Sequence, residues 1–273
     1  MEDQNRYLMC LKTVQAPVIK GAIDDIKDLL SETNIHVNQS GLHILDMDES
    51  HTVLVHLTLN ADRFEYFHCA RPITIGINMN YLSRILKNTQ SNDTLEFFVN
   101  ENEENMVGIR LSNANKSQVD TYQIRRMDID EVEYEFPDQD YEHIINMPAS
   151  DFQQICRSSK SVSTQTNNKV MDIVSYNGEL TFTVEGDIGN KVTRRQSGAS
   201  DNTNLQYTKR DDVIYQGSFN LEKLTEFSKF ANIGGSQNTV QMMMKNEHPI
   251  IFNYPVAALG QIVLLLAPRN ANE

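Results

Sequence analysis

Apolar and polar residues alternate along residues 52–59, and this stretch is the clearest local signal in the chain. Four aliphatic residues fall in step on one side of it: Val53, Val55, Leu57 and Leu59. A period of two in a stretch rich in β-branched residues is typical of a strand that buries one face. The segment before it, residues 46–50, is mostly acidic and predicts a turn that is interrupted by Met47.

Helical spacing replaces the alternation in two other stretches of the first half. Apolar residues recur every three or four positions in residues 17–30 and 76–88, so each stretch predicts a helix with one buried face. The outward positions of these helices carry basic residues: Lys20, Lys27, Arg84 and Lys87. Strands are predicted at residues 34–38, 42–46, 64–69 and 118–125, with a hairpin formed by 93–99 and 106–111.

The composition changes between Met127 and Tyr141. Seven acidic residues surround Tyr134, Phe136 and Pro137 in this segment. A run of like charges that contains a proline favours an extended surface connector over a packed element. The sequence therefore predicts an N-terminal domain over residues 1–126, a connector over residues 127–141 and a C-terminal domain over residues 142–273.

The sequence pattern of the first half of the chain recurs in the second half. Residues 217–242 repeat the helix-then-strand pattern of residues 76–97, and a helix that starts after Pro148 would correspond to residues 17–30. A repeat of more than a hundred residues indicates two similar domains. The predicted fold class is α+β, with two helices in each domain backed by antiparallel strands. The polar residues 196–212 predict a long mobile loop.

Composition and charge limit the possible functions. Of 273 residues, 40% are apolar and 22% charged, which is ordinary for a folded soluble protein. The sequence has no window of about 18 apolar residues, so it predicts no helix that could span a bilayer. Its first residues do not have the basic-then-apolar order of a secretory signal. The three cysteines, Cys10, Cys69 and Cys156, have no CxxC spacing, so they predict neither disulfides nor structural zinc. This pattern predicts an intracellular protein with reduced thiols.

The net charge of −13 argues against a nucleic-acid partner unless the basic residues are gathered on one surface. The charge alone therefore leaves that question open.

Candidate catalytic and metal sites find little support. The chain has none of the common phosphate-binding, zinc-protease or nucleophile-elbow motifs. Asp48, Ser50 and His51 are the residue types of a hydrolytic triad, but neighbours on an extended segment tend to face opposite ways. The acidic run 128–140 lacks the glycine and the final glutamate of a calcium loop. We interpret His43 and His56 as strand-face residues and not as metal ligands. From all these observations together, the sequence predicts no enzyme activity, no metal and no cofactor.

A second group of residues points towards binding. The apolar or amphipathic residues Met47, His51, Leu54, Tyr134, Phe136 and Pro137 lie in segments otherwise polar enough to be on the surface. They could hold the connector against the core, or they could form a surface for a partner. The sequence pattern favours neither alternative.

Several motifs resemble one known family. They are residues 48–59, the two ends of the connector at 127–130 and 137–141, the helix residues 155–157, and Leu-Ala-Pro-Arg at 266–269. In this order, from about Tyr7 to Arg269, they resemble the eukaryotic-type DNA sliding clamps, the proliferating cell nuclear antigen family.

The resemblance implies the DNA-clamp fold and a homotrimeric ring of six similar domains around duplex DNA, with helices towards the DNA and sheets outside. It implies a processivity factor without enzymatic activity that binds DNA polymerase and other replication and repair proteins through short peptide motifs, and that a clamp loader places on DNA. It also implies a location in the nucleus or at a viral replication site, and no membrane partner.

The resemblance also assigns site residues. The basic residues facing DNA would be Lys20, Lys27, Arg84, Lys87, Arg157 and Lys229. The pocket for partner peptides would be formed by Met47, His51, Leu54, Tyr134, Phe136, Pro137, Pro249, Leu265, Ala267 and Pro268. Subunits would join edge to edge, residues 119–125 against residues 190–196, through Val119, Thr121, Tyr122, Val192 and Arg194.

The chain departs from the family pattern at several of these positions. Gly21, Gln154 and Glu222 stand where many members have a basic residue. Leu265 replaces the usual pocket tyrosine, and Tyr176 replaces the lysine that accepts ubiquitin. The departures indicate a divergent member, such as a viral one. The alternatives are a clamp-fold subunit that acts without a ring, as some viral polymerase accessory proteins do, and one subunit of a heterotrimeric checkpoint-type clamp.

Overall fold

The structure is a computed structural model that describes residues 7–136, 140–163, 169–186, 189–197, 205–235 and 238–269. The chain divides into two compact units. The first consists of the residues up to Asp46 together with Val55–Tyr134 and Val256–Ile262. The second contains Met47–Leu54, Glu135–Pro255 and the residues from Val263 onwards.

The described residues form four α-helices and eighteen strands. The helices are α1 (Ala16–Ile26), α2 (Met79–Leu86), α3 (Ala149–Lys160) and α4 (Leu221–Phe227). The strands of the first half are β1 (Tyr7–Thr13), β2 (Glu32–Asn38), β3 (Gly41–Met47), β4 (Val53–Asn60), β5 (Tyr66–Cys69), β6 (Ile73–Asn78), β7 (Asp93–Asn100), β8 (Met106–Asn113) and β9 (Gln118–Arg125). Those of the second half are β10 (His143–Pro148), β11 (Val170–Tyr176), β12 (Glu179–Gly186), β13 (Gly189–Gln196), β14 (Gln206–Arg210), β15 (Tyr215–Asn220), β16 (Thr239–Met244), β17 (Ile250–Val256) and β18 (Gly260–Leu266).

The two halves have the same order of elements: one strand, a helix, five strands, a second helix and three strands. Their strand orders also correspond. The order β5-β1-β7-β8-β9 in the first half matches β14-β10-β16-β17-β18 in the second. Likewise β4-β3-β2-β6 matches β13-β12-β11-β15. The predicted α+β class and the internal repeat are therefore confirmed.

Each unit pairs its two helices through side-chain hydrogen bonds as well as apolar contacts. In the first unit Ser83 Oγ on α2 donates to Asp24 Oδ1 on α1 at 2.6 Å. In the second, Gln153 Nε2 on α3 donates to the Ser228 carbonyl just after α4 at 3.0 Å. In the core of the second unit, the ring of Phe152 on α3 lies 5.0 Å from the ring of Phe252 on β17. Such buried rings contribute much of the apolar area that stabilises a domain.

Two boundaries of the predicted helices differ by several residues from the structure. The predicted helix 17–30 ends at Ile26, and residues 76–78 belong to β6 instead of a helix. Asn78 ends that strand and caps α2, because its side chain accepts from the Tyr81 N–H at 3.1 Å. A β-region N-cap residue followed by the helix is the usual geometry for asparagine.

The prediction of a long loop at residues 196–212 was wrong in part. Gln206–Arg210 form strand β14, which pairs antiparallel with β10. A short polar strand at the edge of a sheet depends on backbone hydrogen bonds to its neighbour, so its own side chains give little signal. Residues 198–204 of this prediction lie outside the described residues.

The three cysteines, Cys10, Cys69 and Cys156, are buried and free. Burial raises the pKa of Cys156 to about 12 and that of Cys10 to about 11, which keeps both thiols protonated at neutral pH. Within the described residues there is no helix long and apolar enough to cross a membrane.

Candidate functional site

The outward face of α1 and α2 gathers the predicted basic residues of the first unit. Lys20 Nζ donates to the carbonyl of Lys87, which is the C-cap residue of α2, at 3.0 Å. This bond brings the two lysines together, although 67 residues separate them in sequence. A cation at the carbonyl end of a helix also interacts favourably with the helix dipole.

Two further residues of this face have neighbours that the sequence did not reveal. Lys27 Nζ lies 3.3 Å from Asp24 Oδ1, so part of its charge is balanced locally. Arg84 is exposed, and its guanidinium carbon is 5.7 Å from the centre of the Tyr81 ring. The exposed face of α1 and α2 is therefore basic but weakly so.

In the second unit Arg157 is exposed on α3, and Lys229 is half-buried in a 3-10 helix after α4. Lys160, also exposed and three residues after Arg157, belongs to the same face and was missed. Its spacing from Arg157 was the available signal, because residues three apart are neighbours on a helix. Lys169 pairs with Glu222, so the acidic departure on α4 has a cationic partner.

Lys191 was also missed, and no sequence signal could have identified it. It belongs to β13, but its Nζ donates to Ser159 Oγ at 2.9 Å and to the Ile155 carbonyl at 3.3 Å on α3. Burial lowers the pKa of Lys191. This side chain fastens α3 to the sheet beneath it.

Strands β9 and β13 hold the predicted interface residues, and each is the last strand of its sheet. Among the described residues no strand pairs with their outer edges. The two strands have the same pattern of exposure along their eight residues. Val119 on β9 is 60% exposed and Val192 on β13 is 50% exposed. Thr121 and Arg194 are exposed as well, and Tyr122 is half-buried.

The counterparts of these two strands in the repeat are β18 and β4, and those two lie side by side. In the first unit the Asn60 N–H donates to the Leu259 carbonyl at 2.9 Å. In the second unit the Ala267 N–H donates to the Thr52 carbonyl at 2.9 Å. The repeat therefore uses one copy of this strand pair within the chain and leaves the other copy open.

Asp48 organises the turn that precedes β4. Its side chain is 3% exposed and accepts from the backbone N–H groups of Thr52 and Val53, each at 2.9 Å, and from Ser50 Oγ at 2.6 Å. His51 sits at the exposed tip of this turn with φ +53°. That conformation is uncommon for a residue with a side chain, and the Asp48 hydrogen bonds hold it in place.

The Asp48 carboxylate also has a half-buried cationic partner, Lys223 on α4, whose Nζ lies 3.2 Å from Oδ2. Burial alone would raise the pKa of Asp48, but the hydrogen bonds from Ser50, Val53 and Thr52 and the Lys223 charge lower it below its usual value. For Lys223 burial acts to lower the pKa, and the charges of Glu226 and Asp48 raise it overall. Asp48 therefore remains ionised, and a role as a proton carrier at neutral pH is excluded.

Most of the predicted pocket residues fall in the second unit. Met47 and Pro249 are half-buried there, as are Ala267 and Pro268. The bond from Ala267 to Thr52 places the end of β18 directly beside the His51 turn. Leu54 and Leu265 are only 7% and 5% exposed, so they support this surface from below more than they form it.

The connector residues of the predicted pocket are divided. Tyr134 belongs to the first unit, where burial and then the charge of Asp46 raise its pKa. Phe136 belongs to the second unit and is 37% exposed. Pro137 lies outside the described residues.

The start of the connector is fixed to β6. The Met127 N–H donates to the Gly76 carbonyl at 2.8 Å, and Asn34 Nδ2 donates to the Ile129 carbonyl at 3.1 Å. A Cβ at Gly76 would overlap the Met127 carbonyl, so glycine is required for this approach. The bond pattern sets where the connector leaves the sheet.

The fold does not bring the candidate residues for catalysis and metal binding into a catalytic or metal-binding arrangement within the described residues. Ser50 Oγ donates to Asp48 and lies 2.7 Å from Thr52 Oγ1. His43 faces His36 across β3 and β2, and burial lowers the pKa of both His43 and His56. Within the described residues no group of three or more His, Cys, Asp or Glu side chains is arranged to hold a metal ion.

Comparison with known proteins gives matches along nearly the whole chain. The sequence model for the N-terminal domain of proliferating cell nuclear antigen matches residues 8–134, and that for its C-terminal domain matches residues 135–269. A probable DNA polymerase sliding clamp of Paramecium bursaria Chlorella virus 1 is 29% identical over 98% of this chain and 99% of its own. The proliferating cell nuclear antigens of Chaetomium thermophilum and Caenorhabditis elegans are 28% and 26% identical over 95% and 94% of this chain, and over 97% and 95% of their own lengths.

Proposed function

The chain belongs to the proliferating cell nuclear antigen family and is a DNA polymerase processivity factor, and we propose that it acts as a homotrimeric ring around duplex DNA. The observation that carries the ring is the pair of open edges on β9 and β13. Their counterparts β18 and β4 lie side by side within the chain, so β9 of one copy and β13 of the next could form the same pair between copies. A head-to-tail contact of this kind gives a closed ring when its rotation closes.

Mass in solution tests this proposal. Size-exclusion chromatography with light scattering, repeated over a dilution series, should give about 94 kDa, three times the 31.2 kDa of one chain. A mass that stays at one chain at every concentration would refute the ring and favour a clamp-fold subunit held on DNA by charge. Assembly only after another protein is added would favour a heterotrimeric clamp.

The face of α1 and α2, with the corresponding face of α3 and α4, would line the hole. Its candidate DNA contacts are Lys20, Lys27, Arg84, Lys87, Arg157, Lys160 and Lys229. These basic residues are few and partly balanced by acidic ones, so retention on DNA would depend on the closed ring and little on tight phosphate binding. The acidic charge elsewhere would keep DNA away from the outer surface. A clamp loader would open the ring at the site of DNA replication, either the nucleus or a viral replication site in an infected cell.

The surface around the His51 turn would bind peptides from DNA polymerase and other replication proteins. Its support is the hydrogen bond from the Ala267 N–H to the Thr52 carbonyl, which places the end of β18 beside the exposed turn, and separately the 37% exposure of Phe136. A partner segment would insert apolar and aromatic anchors there. The protein itself would perform no chemistry.

A double substitution, Tyr134→Ala with Phe136→Ala, tests the peptide surface. Binding of the DNA polymerase from the same source, measured by surface plasmon resonance, should fall at least tenfold because two anchoring contacts are lost. The mass in solution should not change. Val132→Ala is a matched control, since Val132 lies on the same connector and is 59% exposed. Unchanged polymerase binding by the double variant would rule out this surface.

A further inference from the structure

An arginine pair stands just before an exposed serine at the end of β13. Residues 194–197 read Arg-Arg-Gln-Ser. The only other adjacent arginines in the sequence, at 125 and 126, are followed by Met-Asp. Serine kinases that select basic substrates recognise arginines two and three residues before the serine by charge pairing. The sequence thus places a phosphate acceptor and both recognition residues together.

The fold presents this segment in a form that a kinase can bind. Ser197 is exposed, and its backbone N–H donates to the Gly178 carbonyl at 2.8 Å, which fixes the main chain while leaving the hydroxyl outside. The preceding strand β13 is already extended and, among the strands that the structure describes, pairs only with β12. A kinase binds its substrate as an extended segment, so little rearrangement is needed.

The two arginines differ in availability. The Arg194 side chain is 71% exposed and lies 3.7 Å from Glu179 through its Nε, a loose pair that solvent screens. The Arg195 side chain is 39% exposed and its Nη2 lies 2.8 Å from Asp151 Oδ2. Arg194 is therefore the freer recognition residue, and Arg195 would have to exchange its carboxylate partner for one on the kinase.

A third arginine flanks the same place. A Cβ on Gly178 would lie 2.9 Å from Nη1 of Arg210 and 3.9 Å from Cβ of Ser197. Because residue 178 is a glycine, no side chain at this position fills the space between Ser197 and the Arg210 guanidinium. A phosphate on Ser197 carries a charge of about −1.5 to −2 at neutral pH and pairs well with a guanidinium.

We propose that Ser197 is a phosphorylation site for a serine kinase that selects basic substrates, and that Arg210 pairs with the phosphate. The kinase transfers the γ-phosphoryl group of ATP to Ser197 Oγ. The bond from Pγ to the ADP oxygen breaks, the hydroxyl proton passes to the kinase carboxylate and ADP leaves. The modification does not depend on the ring, but Arg194 also belongs to the proposed subunit edge, so the kinase and the neighbouring subunit would compete for Arg194.

The test is phosphorylation of the purified full chain by the catalytic subunit of cyclic-AMP-dependent protein kinase with labelled ATP, over a range of chain concentrations. About one phosphate per chain should be found at Ser197 by mass spectrometry. Ser197→Ala should abolish this, and Arg194→Gln should slow it about tenfold, as expected for the loss of one charge-assisted pair. Ser161→Ala, at another exposed serine, is the control and should react like the wild type.

A synthetic peptide of residues 190–201 separates the motif from the fold. If the peptide is phosphorylated but Ser197 of the full chain is not at any concentration, the fold hides the site and the proposal fails. Failure of both also overturns it. The role of Arg210 is read by a phosphorus NMR titration, in which the second pKa of phosphoserine should be higher in Arg210→Gln than in the wild-type background. Equal values would remove Arg210 from the proposal.

Discussion

At the scale of single residues, Asp48 matters most for the site. It is buried, holds three hydrogen bonds within the His51 turn and pairs with Lys223. Replacing the carboxylate by an amide removes the negative charge that pairs with Lys223. It also leaves the backbone N–H groups of Thr52 and Val53 with a neutral, weaker acceptor. Asp48→Asn should lower the free energy of unfolding by about 2–4 kcal/mol, measured by urea denaturation at pH 7. Asp62→Asn, at a carboxylate that is 75% exposed, is the control and should change it by under about 0.5 kcal/mol.

The same residue predicts an effect of pH. The folded-state pKa of Asp48 is below its ordinary value, so its stabilisation is present above that ordinary value of about 3.9. It is lost as the pH falls from there through the lower folded-state pKa. The stability difference between wild type and Asp48→Asn should therefore shrink between pH 5 and pH 2. A difference that stays constant over this range would contradict the assignment.

A row of histidines on neighbouring strands gives a second pH effect, of the same sign but in another range. Burial lowers the pKa of His43 and His56, and each also has a neighbouring histidine that lowers it further. A histidine whose folded-state pKa is lowered stabilises the protein above its unfolded pKa of about 6.5, and this contribution is lost as the pH falls through the folded-state value.

His43→Gln should therefore reduce the loss of stability between pH 7.5 and pH 5. The measurement is the urea midpoint as a function of pH. Leu45→Met, on the same strand β3, is a control that changes no titrating group. If wild type and His43→Gln lose stability in parallel, His43 does not contribute.

At the scale of secondary-structure elements, the open edges of β9 and β13 would form the subunit contact of the proposed ring. A charged residue on an edge strand opposes pairing with another strand, because its charge would have to be desolvated in the new sheet. Val119→Glu should shift the mass in solution from three chains towards one and leave the far-UV circular dichroism unchanged. Val132→Glu is a closely matched control, since the two valines are 60% and 59% exposed. A trimeric Val119→Glu variant would exclude β9 from the interface.

The elements also show how far the sequence could be interpreted. Strand 118–125 was predicted with the boundaries that the structure shows, and the hairpin of β7 and β8 within two residues at each end. In both, polar and apolar side chains alternate along most of each strand in step with the exposed and buried positions of the sheet. Strand β14 was missed because its five residues are mostly polar and three of them are exposed, so only the backbone of β10 selects a strand there.

At the scale of the whole molecule, charge and topology combine. A net charge of −13 and a few basic residues on helix faces predict weak, salt-dependent binding to short linear duplex DNA. The double variant Arg84→Gln with Arg157→Gln should lower the slope of log affinity against log salt by about 2, as expected for two lost phosphate contacts. Fluorescence anisotropy at several salt concentrations measures this slope. Nanomolar binding of linear duplex at physiological salt would contradict retention by a closed ring.

The sequence by itself determined the α+β class, the repeat and the basic outward positions of the helices, because each of these follows from local periodicity and composition. It also carried the family resemblance, through short motifs such as residues 48–59. The partners of individual side chains were decided by the tertiary structure. Asp48 meets Lys223, Lys20 meets the Lys87 carbonyl, and Lys191 meets α3 across more than thirty residues. Such contacts depend on which elements pack together, and no local pattern records that. The open edges of β9 and β13 are likewise a property of the assembled sheets, since a strand is an edge only in relation to its neighbours.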